Sequence, residues 1–405
     1  MTYNIISKCY GLSTKNLIQN STRFGLLAAS PTNLESKAKN YTSLFTRDIG
    51  VSSLGILSSQ NQKLIDILRT SLITLTESQS KLGQFPFYYI PETKTVRWWA
   101  PGAIDSTLWW CIAFLNYYKS TNDKQFFDKY NSNLEKAFTW LTYQDTNNDS
   151  LLEQGESADW ADEMPRHGTV LYSNTLWYWL VKLRAEVEKR NDLIPLQTEI
   201  YESFNTLFWT HKQEDNTLNY VPENNFTLKN VYSKGVIEYT NTHAVFLPYY
   251  FGFVSYKSFE MRCDVYANIL ACLVGLADEI KAKLITDFII RSGSNLPYPV
   301  KALYPPIYPG ENDWKEQMSK GRQNYPWQYH NGGIWPYIGG FWVKWLSIYD
   351  KEIAKKELQK LAQANSLNHW EFNEFLHGQL GTPMGIPLQS WNMAMFIEAY
   401  KSTIE

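Results

Sequence analysis

Helical periodicity is the feature of this sequence that most restricts its fold. Apolar residues recur at spacings of three and four along most of the chain, which is the pattern of amphipathic helices. One example is the series Leu64, Ile67, Leu68, Leu72 and Leu75, and another lies at 127–141. The pattern also predicts helices at 170–190, 194–209, 242–252, 260–275, 278–290, 332–348, 352–364 and 388–401. Strand patterns are few and short, so we predict an all-α protein.

Loops rich in acidic, aromatic, glycine or proline residues precede about half of these helices. They lie near Asp48, Asp105, Gly168, Asn241, Asn331 and Pro387. Each interval is long enough for two helices and their connections, so the chain contains six helical hairpins. Six hairpins form an (α/α)6 toroid, in which the loops before the inner helices meet at one end. We therefore predict a single (α/α)6 domain over residues 1–405. An open solenoid is the alternative, but its repeats would resemble one another in sequence.

Composition indicates the kind of partner. Aromatic residues make up 16% of the chain, with 16 Trp, which is more than core packing requires, and rings in loops provide stacking surfaces. The net charge is −2 and the lysines are scattered, which argues against nucleic acid or an anionic membrane as partner. A small carbohydrate is the expected ligand.

The cysteines and the amino terminus indicate the compartment. Cys9, Cys111, Cys263 and Cys272 show neither metal-site spacing nor a disulfide framework. The first residues do not form a signal peptide, and no apolar run approaches the length of a membrane span. We predict a cytoplasmic protein without metal or cofactor. The segment from Asp145 to Glu156 has the oxygen spacing of a calcium loop, but a solvated polar turn is the preferred interpretation.

The loop before the predicted helix at 170–190 contains two carboxyls beside an indole ring. Carboxyls transfer protons and indole faces stack on pyranose rings, so this arrangement favours a sugar-cleaving site. A general acid must stay protonated near neutral pH, which requires an apolar wall such as Trp160 and Met164. Asp162 lies nearer the helix and is the predicted acid, whereas Asp159 is given a supporting role.

The other inner loops supply the remaining candidates. Glu371 and Glu374 are rivals for the second carboxylate, and Glu374 is preferred because it lies beside the turn formed by Phe375 and Gly378. The predicted substrate-binding residues are Phe45, Arg47, Asp48, Trp99, Asp105, Trp109, Asp159, Trp160, Arg166, Asn174, Tyr329, His330, Asn331, Gly332, Trp335, Gln389 and Trp391. Two of them have structural alternatives, since Asp48 can cap a helix and Arg166 can form an exposed ion pair.

Three motifs in this order resemble the (α/α)6 glycoside hydrolases that include glycogen-debranching glucosidases, neutral invertases, processing α-glucosidases and trehalase. They are Trp160-Ala161-Asp162 with Pro165-Arg166-x-Gly168, Tyr329-His330-Asn331-Gly332-Gly333-x-Trp335-Pro336, and Asn373-Glu374-Phe375 with Gln389-Ser390-Trp391. The resemblance spans residues from about 41 to 401. It implies an inverting mechanism in which Asp162 protonates the glycosidic oxygen and Glu374 activates water, with the carboxyls roughly 6.5–9.5 Å apart.

The sequence offers alternatives for the substrate, and it also offers two other function classes. Invertases carry Asp-Arg-Arg where this chain has Asp162-Glu163-Met164, so a small α-glucoside, such as an α-1,6-linked or glucosyl-polyol compound, is expected ahead of sucrose. A sugar epimerase or isomerase on the same toroid would use paired histidines from among His243, His330 and His377. A lectin-like protein would lack one of the two carboxylates.

Overall fold

Six helices form a closed ring in the computed structural model, which describes residues 2–98, 103–209 and 225–405. The inner helices are α3 (Thr46–Ser58), α5 (Ile104–Thr121), α7 (Leu171–Val187), α10 (Val265–Val274), α12 (Pro336–Tyr349) and α14 (Ser390–Ile404). Each packs against the next in this order, and α14 packs against α3, which closes the ring. The predicted (α/α)6 toroid is confirmed.

An outer layer of helices covers the ring. It consists of α1 (Thr2–Gln19), α4 (Gln62–Thr76), α6 (Lys124–Thr142), α8 (Ile194–Leu207), α11 (Glu279–Arg291) and α13 (Lys351–Trp370). Each outer helix packs one apolar face on an inner helix, as α4 does with its buried Leu64, Leu68, Leu72 and Leu75. Two further helices, α2 (Leu34–Ala38) and α9 (Val231–His243), lie in connections. Within the described ranges, no helix is both long and apolar enough to cross a bilayer.

The inner helices are buried on both sides, and two adjacent tryptophans of α5 illustrate this. Trp109 and Trp110 are both fully buried, although neighbouring side chains point about 100 degrees apart on a helix. Trp109 donates from its indole N–H to the Tyr172 hydroxyl in the neighbouring inner helix, at 2.8 Å. Trp110 instead stacks on Phe85, with ring centroids 4.2 Å apart. The first ring therefore stabilises the inner layer and the second joins it to the outer layer.

Short strands connect the loops at the starts of the inner helices. In the described residues they are β1 (Ser21–Thr22), β2 (Gly25–Leu26), β3 (Leu44–Phe45), β4 (Tyr88–Ile90), β5 (Thr95–Arg97), β6 (Glu153–Gln154), β7 (Gly168–Val170), β8 (Phe253–Ser255), β9 (Ser258–Phe259), β10 (Cys263–Asp264), β11 (Leu303–Tyr304), β12 (Phe375–Leu376) and β13 (Pro383–Met384). All named pairs are antiparallel, and the sheets are β1-β2, β3-β4-β5, β6-β7-β8-β9, β10-β11 and β12-β13.

The fourth hairpin differs from its prediction. The predicted helix at 242–252 is wrong, because α9 ends at His243 and the following residues, which include Pro248, form a loop. Proline lacks the N–H that a helix interior needs. The fourth inner helix therefore starts at Val265 rather than near Asn241, and the Asp264 side chain caps it by accepting from Ala267 N at 3.0 Å. The predicted helix at 260–275 begins too early because β10 occupies its first turn.

We predict that Gly55→Ala lowers the free energy of unfolding by about 1–3 kcal/mol, measured by urea denaturation. Gly55 lies on α3 where a methyl group would overlap the main chain of Ala394 on α14. The matched control is Gly11→Ala on the outer helix α1, where no atom lies within 4 Å. The control should be neutral or stabilising by up to about 1 kcal/mol, because alanine favours helix more than glycine does. Equal effects of the two substitutions would contradict close packing of α3 on α14.

Candidate active site

Side chains from the starts of the inner helices meet at one end of the ring. The Arg47 guanidinium on α3 donates to both carboxylate oxygens of Asp105 on α5, at 2.5 and 3.0 Å. The Tyr172 hydroxyl on α7 also donates to Asp105, at 3.3 Å. On the other side, Tyr337 of α12 stacks on Trp391 of α14 with centroids 4.2 Å apart. These contacts fix the positions of the loops that contain the predicted carboxyls.

Asp162 is the predicted general acid, and its surroundings disfavour the ionised form. Its side chain is 16% exposed, and its Oδ1 lies 3.9 Å from Nδ1 of His330. Burial raises the pKa of Asp162 to about 7, the Arg47 charge opposes this shift, and the neighbouring Glu163 charge adds to it. Asp162 receives no hydrogen bond from the described residues. A carboxyl in this environment is partly protonated at neutral pH, as general acid catalysis requires.

Unlike Asp162, Asp159 accepts several hydrogen bonds at its carboxylate. The Arg166 guanidinium, Gln154 Nε2 at 2.7 Å and Ala161 N at 2.8 Å all donate to its carboxylate. Arg166 also donates to Asp264, at 2.6 Å, and is itself buried. The alternative of an exposed ion pair for Arg166 is therefore wrong. The Asp159–Arg166–Asp264 group connects the loop before α7, which contains Asp162, to the start of α10.

Glu374 is the predicted general base, and two donors hold its carboxylate. The Tyr41 hydroxyl donates to Oε1 at 2.6 Å, and Ile386 N donates to Oε2 at 2.9 Å. Burial raises the pKa of Glu374, whereas these two hydrogen bonds and the Lys39 charge oppose the rise. Gly385 adopts φ +73° against this carboxyl, where any side chain would overlap it. The position directly after β13 thus requires glycine so that the Glu374 carboxyl has room.

The two predicted catalytic carboxyls both affect the pKa of Tyr329, although they are far apart in sequence. Burial raises the pKa of Tyr329, and the negative charges of Glu374 and Asp162 raise it further. The Tyr329 main chain has φ +44°, a conformation that costs energy for a residue other than glycine and is concentrated at functional sites. Asp48 is a third buried carboxyl here, and burial together with the Glu374 charge raises its pKa to about 7.

A continuous series of ring contacts joins His330, which lies beside Asp162, to Phe375, which follows Glu374. Trp335 stacks on His330, with centroids 5.4 Å apart and an interplanar angle of 16°, and on Phe375, at 5.5 Å and 25°. The edge of Trp160 meets both His330, at 4.9 Å, and Trp335, at 5.5 Å. Phe45 lies near the base, stacked on Tyr41 at 5.6 Å. Trp335, Trp160 and Phe375 are buried, so they pack on one another and leave no open face on which a sugar could stack. The predicted stacking role of Trp335 therefore does not agree with this packing.

Several predicted substrate-binding residues instead hold the main chain. Asn174 accepts from Leu152 N and donates to Leu152 O and Val170 O, and it is fully buried. Asn331 bonds in the same way to both main-chain groups of Ile307. Gly332 contributes a positive φ of 90° rather than a side chain. These polar groups, like the ion-paired Asp105, are already satisfied. Trp99 lies outside the described residues.

Other predicted residues retain polar atoms that have no partner in the part of the chain that the structure describes. These buried atoms are Trp160 Nε1, His330 Nδ1, Gln389 Oε1 and Trp391 Nε1. Buried polar atoms are normally hydrogen-bonded, so such atoms around two carboxyls are suited to bind the hydroxyls of a ligand. Tyr41, Asp264 and Tyr337 complete the site and were missed, because nothing in their local sequence indicates these contacts.

The histidines and the acidic loop offer little support for the other hypotheses. His243 is exposed at the end of α9, with Nδ1 2.8 Å from Tyr239 O, and His377 Nδ1 accepts from its own turn. Neither bonds to His330 in the described structure. In the loop after α6, Asp145 accepts from the N–H groups of Asp149 and Ser150. Among the described residues, no group of three or more acidic, histidine or cysteine side chains is arranged to hold a metal ion.

The ring fold, together with a match to a family profile, places the protein in the class of (α/α)6 glycoside hydrolases. The sequence profile of the alkaline and neutral invertase family matches residues 175–403, which is more than half of the chain. The chain therefore belongs to the alkaline and neutral invertase family, and the predicted resemblance is confirmed.

Individual relatives cover different parts of the chain. It is 27% identical over 146 residues to alkaline/neutral invertase E, chloroplastic, of Arabidopsis thaliana, which covers 35% of this chain and 23% of that protein. It is 22% identical over 335 residues to neutral/alkaline invertase 1, mitochondrial, of Oryza sativa subsp. japonica, at 73% and 50% coverage. The chain thus spans about a quarter to a half of the length of these relatives.

Solved structures share the fold over almost the whole chain. The GH63 mannosylglycerate hydrolase from Thermus thermophilus superposes with a TM-score of 0.67 at 11% identity, covering 96% of this chain and 99% of that one. The Hormoconis resinae glucoamylase superposes with a TM-score of 0.60 at 11% identity, covering 99% and 73%. At these identities the similarity establishes the fold.

We predict that Tyr41→Phe moves the acidic limb of the pH profile of kcat/KM to higher pH. The hydroxyl stabilises ionised Glu374, so its loss raises the pKa of that carboxyl, and a general base works only when ionised. On this limb we expect kcat/KM to fall by about 10- to 100-fold, which is the size expected for the loss of a hydrogen bond to a charged group. Tyr143→Phe, at a residue 76% exposed, is the control and should change nothing. An unmoved acidic limb in Tyr41→Phe would contradict the role of Glu374 as base.

Proposed function

We propose that this protein hydrolyses a small α-glucoside with inversion, with Asp162 as general acid and Glu374 as general base. The observation that most supports this proposal is the difference between the two buried carboxyls. Hydrogen bonds to the ionised form lower a carboxyl pKa, and Glu374 receives two of them. Asp162 receives none from the described residues, and its largely buried side chain lies 3.9 Å from the His330 imidazole. One carboxyl is therefore suited to give a proton and the other to accept one.

The reaction follows from these protonation states. The Asp162 carboxyl transfers its proton to the glycosidic oxygen as the bond to the anomeric carbon breaks. Glu374 takes a proton from a water molecule whose oxygen forms the new bond on the opposite face of that carbon. The leaving group departs as an alcohol, and the sugar is released with inverted configuration. Asp162 is then ionised and Glu374 protonated, so the two exchange their protons with solvent before the next turnover.

Sucrose is the first substrate to test, because the matched family is named for invertases and its relatives carry that name. The family profile begins at residue 175, so it contains Glu374 but not Asp162. The assignment of Asp162 therefore rests on its environment. Glu163 follows Asp162 where invertases have arginine, and its negative charge raises the pKa of the acid. This departure favours a glucosyl-polyol or α-1,6-linked glucoside as the second candidate.

The state of the cysteines is consistent with a reducing compartment. All four cysteines are buried and free of disulfide bonds, and burial raises the pKa of each, which keeps them unreactive. We propose the cytoplasm as the location on this ground, with a small carbohydrate as the partner and no cofactor.

We predict that Asp162→Asn and Glu374→Gln each lower kcat by more than about 1,000-fold while thermal unfolding stays within a few degrees. Both replacements keep the shape of the side chain and remove its proton transfer. Matched controls are Asp159→Asn and Glu371→Gln at the rival carboxyls. Glu371→Gln should retain activity, and Asp159→Asn should mainly lower stability, because it weakens the ion pair with Arg166. Full activity in either catalytic variant would transfer the role to the rival residue.

Reducing-sugar release from a panel of sucrose, isomaltose and glucosylglycerol tests the substrate class. We expect hydrolysis of at least one of these α-glucosides that is lost in both catalytic variants. Binding without hydrolysis would indicate a lectin-like protein instead, and conversion of a free sugar to its epimer would indicate an epimerase.

A further inference from the structure

His330 lies next to the proposed acid, and its position is unusually well fixed. Its ring is 3% exposed and stacks on Trp335, while the edge of Trp160 packs against it. The Tyr329 ring lies 3.9 Å from it, centroid to centroid. Rings pack on several sides of the imidazole, and its Nδ1 lies 3.9 Å from Asp162 Oδ1. The imidazole is therefore held in place by packing before any ligand binds.

His330 is neutral in this position. Burial lowers its pKa well below the usual range, and the positive charges of Arg166 and Arg47 lower it further. A charged imidazolium would pair with Asp162 and keep the acid ionised, whereas a neutral ring leaves Asp162 free to hold its proton. A neutral imidazole still has one N–H donor, so His330 can bind an oxygen without taking part in net proton transfer.

The 3.9 Å separation is too long for a direct hydrogen bond but fits one shared oxygen atom. An oxygen about 2.8 Å from both Nδ1 and Oδ1 satisfies both groups with ordinary hydrogen-bond geometry. Nδ1 has no other partner in the described part of the chain, although it is fully buried. A buried donor without a partner is costly, so this atom is suited to a ligand oxygen.

We propose that His330 binds the oxygen of the leaving group, donating from Nδ1 to the same atom that Asp162 protonates. This inference rests on the proposed function, because the shared atom is defined by Asp162 acting as the acid. As the glycosidic bond breaks, its electron pair moves to that oxygen. The Asp162 proton adds to one lone pair and the His330 N–H donates to the other. His330 keeps its proton throughout and stabilises charge that develops only in the transition state.

The proposal predicts an effect that depends on the leaving group. Hydrolysis of sucrose, or of the panel glycoside that is cleaved fastest, requires help at the leaving oxygen. Fluoride departs from α-glucosyl fluoride without being protonated, so that substrate does not require it. His330→Phe keeps an aromatic ring in the stack and removes the nitrogen. We expect it to lower kcat/KM for the glycoside by about 10- to 100-fold and for the fluoride by less than about threefold.

Two further variants separate the possible outcomes. His330→Asn places an amide near the position of Nδ1 and should restore part of the glycoside activity. Asp162→Asn should show the same preference for the fluoride at larger amplitude, and the double variant should lose less than the sum of the single losses, because both residues act on one atom. Equal losses on both substrates in His330→Phe, or no loss on either, would overturn the proposal. If Asp162→Asn itself shows no preference for the fluoride, the proposed acid is wrong and the failure lies there.

Discussion

The buried ion pair between Arg47 and Asp105 is the interaction on which the rest of the site depends. It joins two neighbouring inner helices, with side chains only 6% and 0% exposed. The Arg47 charge opposes the pKa rise of both Asp162 and Asp48, while Asp105 also accepts from Tyr172. Removing one partner of such a pair typically costs about 3–5 kcal/mol, because the other charge stays buried without compensation. The pair therefore sets both the ring geometry and the electrostatic potential at the carboxyls.

Around this pair, the ring of helices encloses several carboxyls, and each of them has different hydrogen-bond or ion-pair partners. Asp159 forms an ion pair with Arg166, Glu374 accepts hydrogen bonds from two donors, and Asp162 has no hydrogen-bond donor among the described residues. The differences arise from loops that are far apart in sequence, since Tyr41 and Glu374 are separated by 333 positions. A closed toroid brings such loops together because all of them precede inner helices. Acid and base functions can thus be assigned by environment, since the side-chain chemistry is the same.

The architecture and most of the loops that form the site could be predicted from the sequence. Five of six inner helices start within a few residues of the predicted loops, because acidic or polar residues before apolar periodic segments are reliable helix starts. The fourth failed because the apolar run after Ala244 resembles a helix, whereas Pro248 and pairing between short strands keep it extended or looped. The cap at Asp264 was the signal that would have located Val265.

The individual contacts were less predictable. Asn174 lies in the first turn of α7 and Asn331 in the loop before α12, but both bond to main chain, and periodicity does not reveal the direction of an amide. The hydrogen bond from Tyr41 to Glu374 depends on closure of the ring of helices, and no local sequence pattern predicts which residues that closure brings together. Trp160 and Met164, which were expected to shield Asp162, are both buried. The catalytic roles of Asp162 and Glu374 themselves remain predictions.

In the proposed mechanism, Glu374 activates a water molecule on the face of the sugar opposite Asp162. Proton NMR of the first sugar released from an α-glucoside, recorded before mutarotation, tests this most directly. We expect β-glucose to appear first and the α-anomer to grow only at the rate of mutarotation. Release of α-glucose first would mean retention through a covalent intermediate, which contradicts a water-activating base at Glu374.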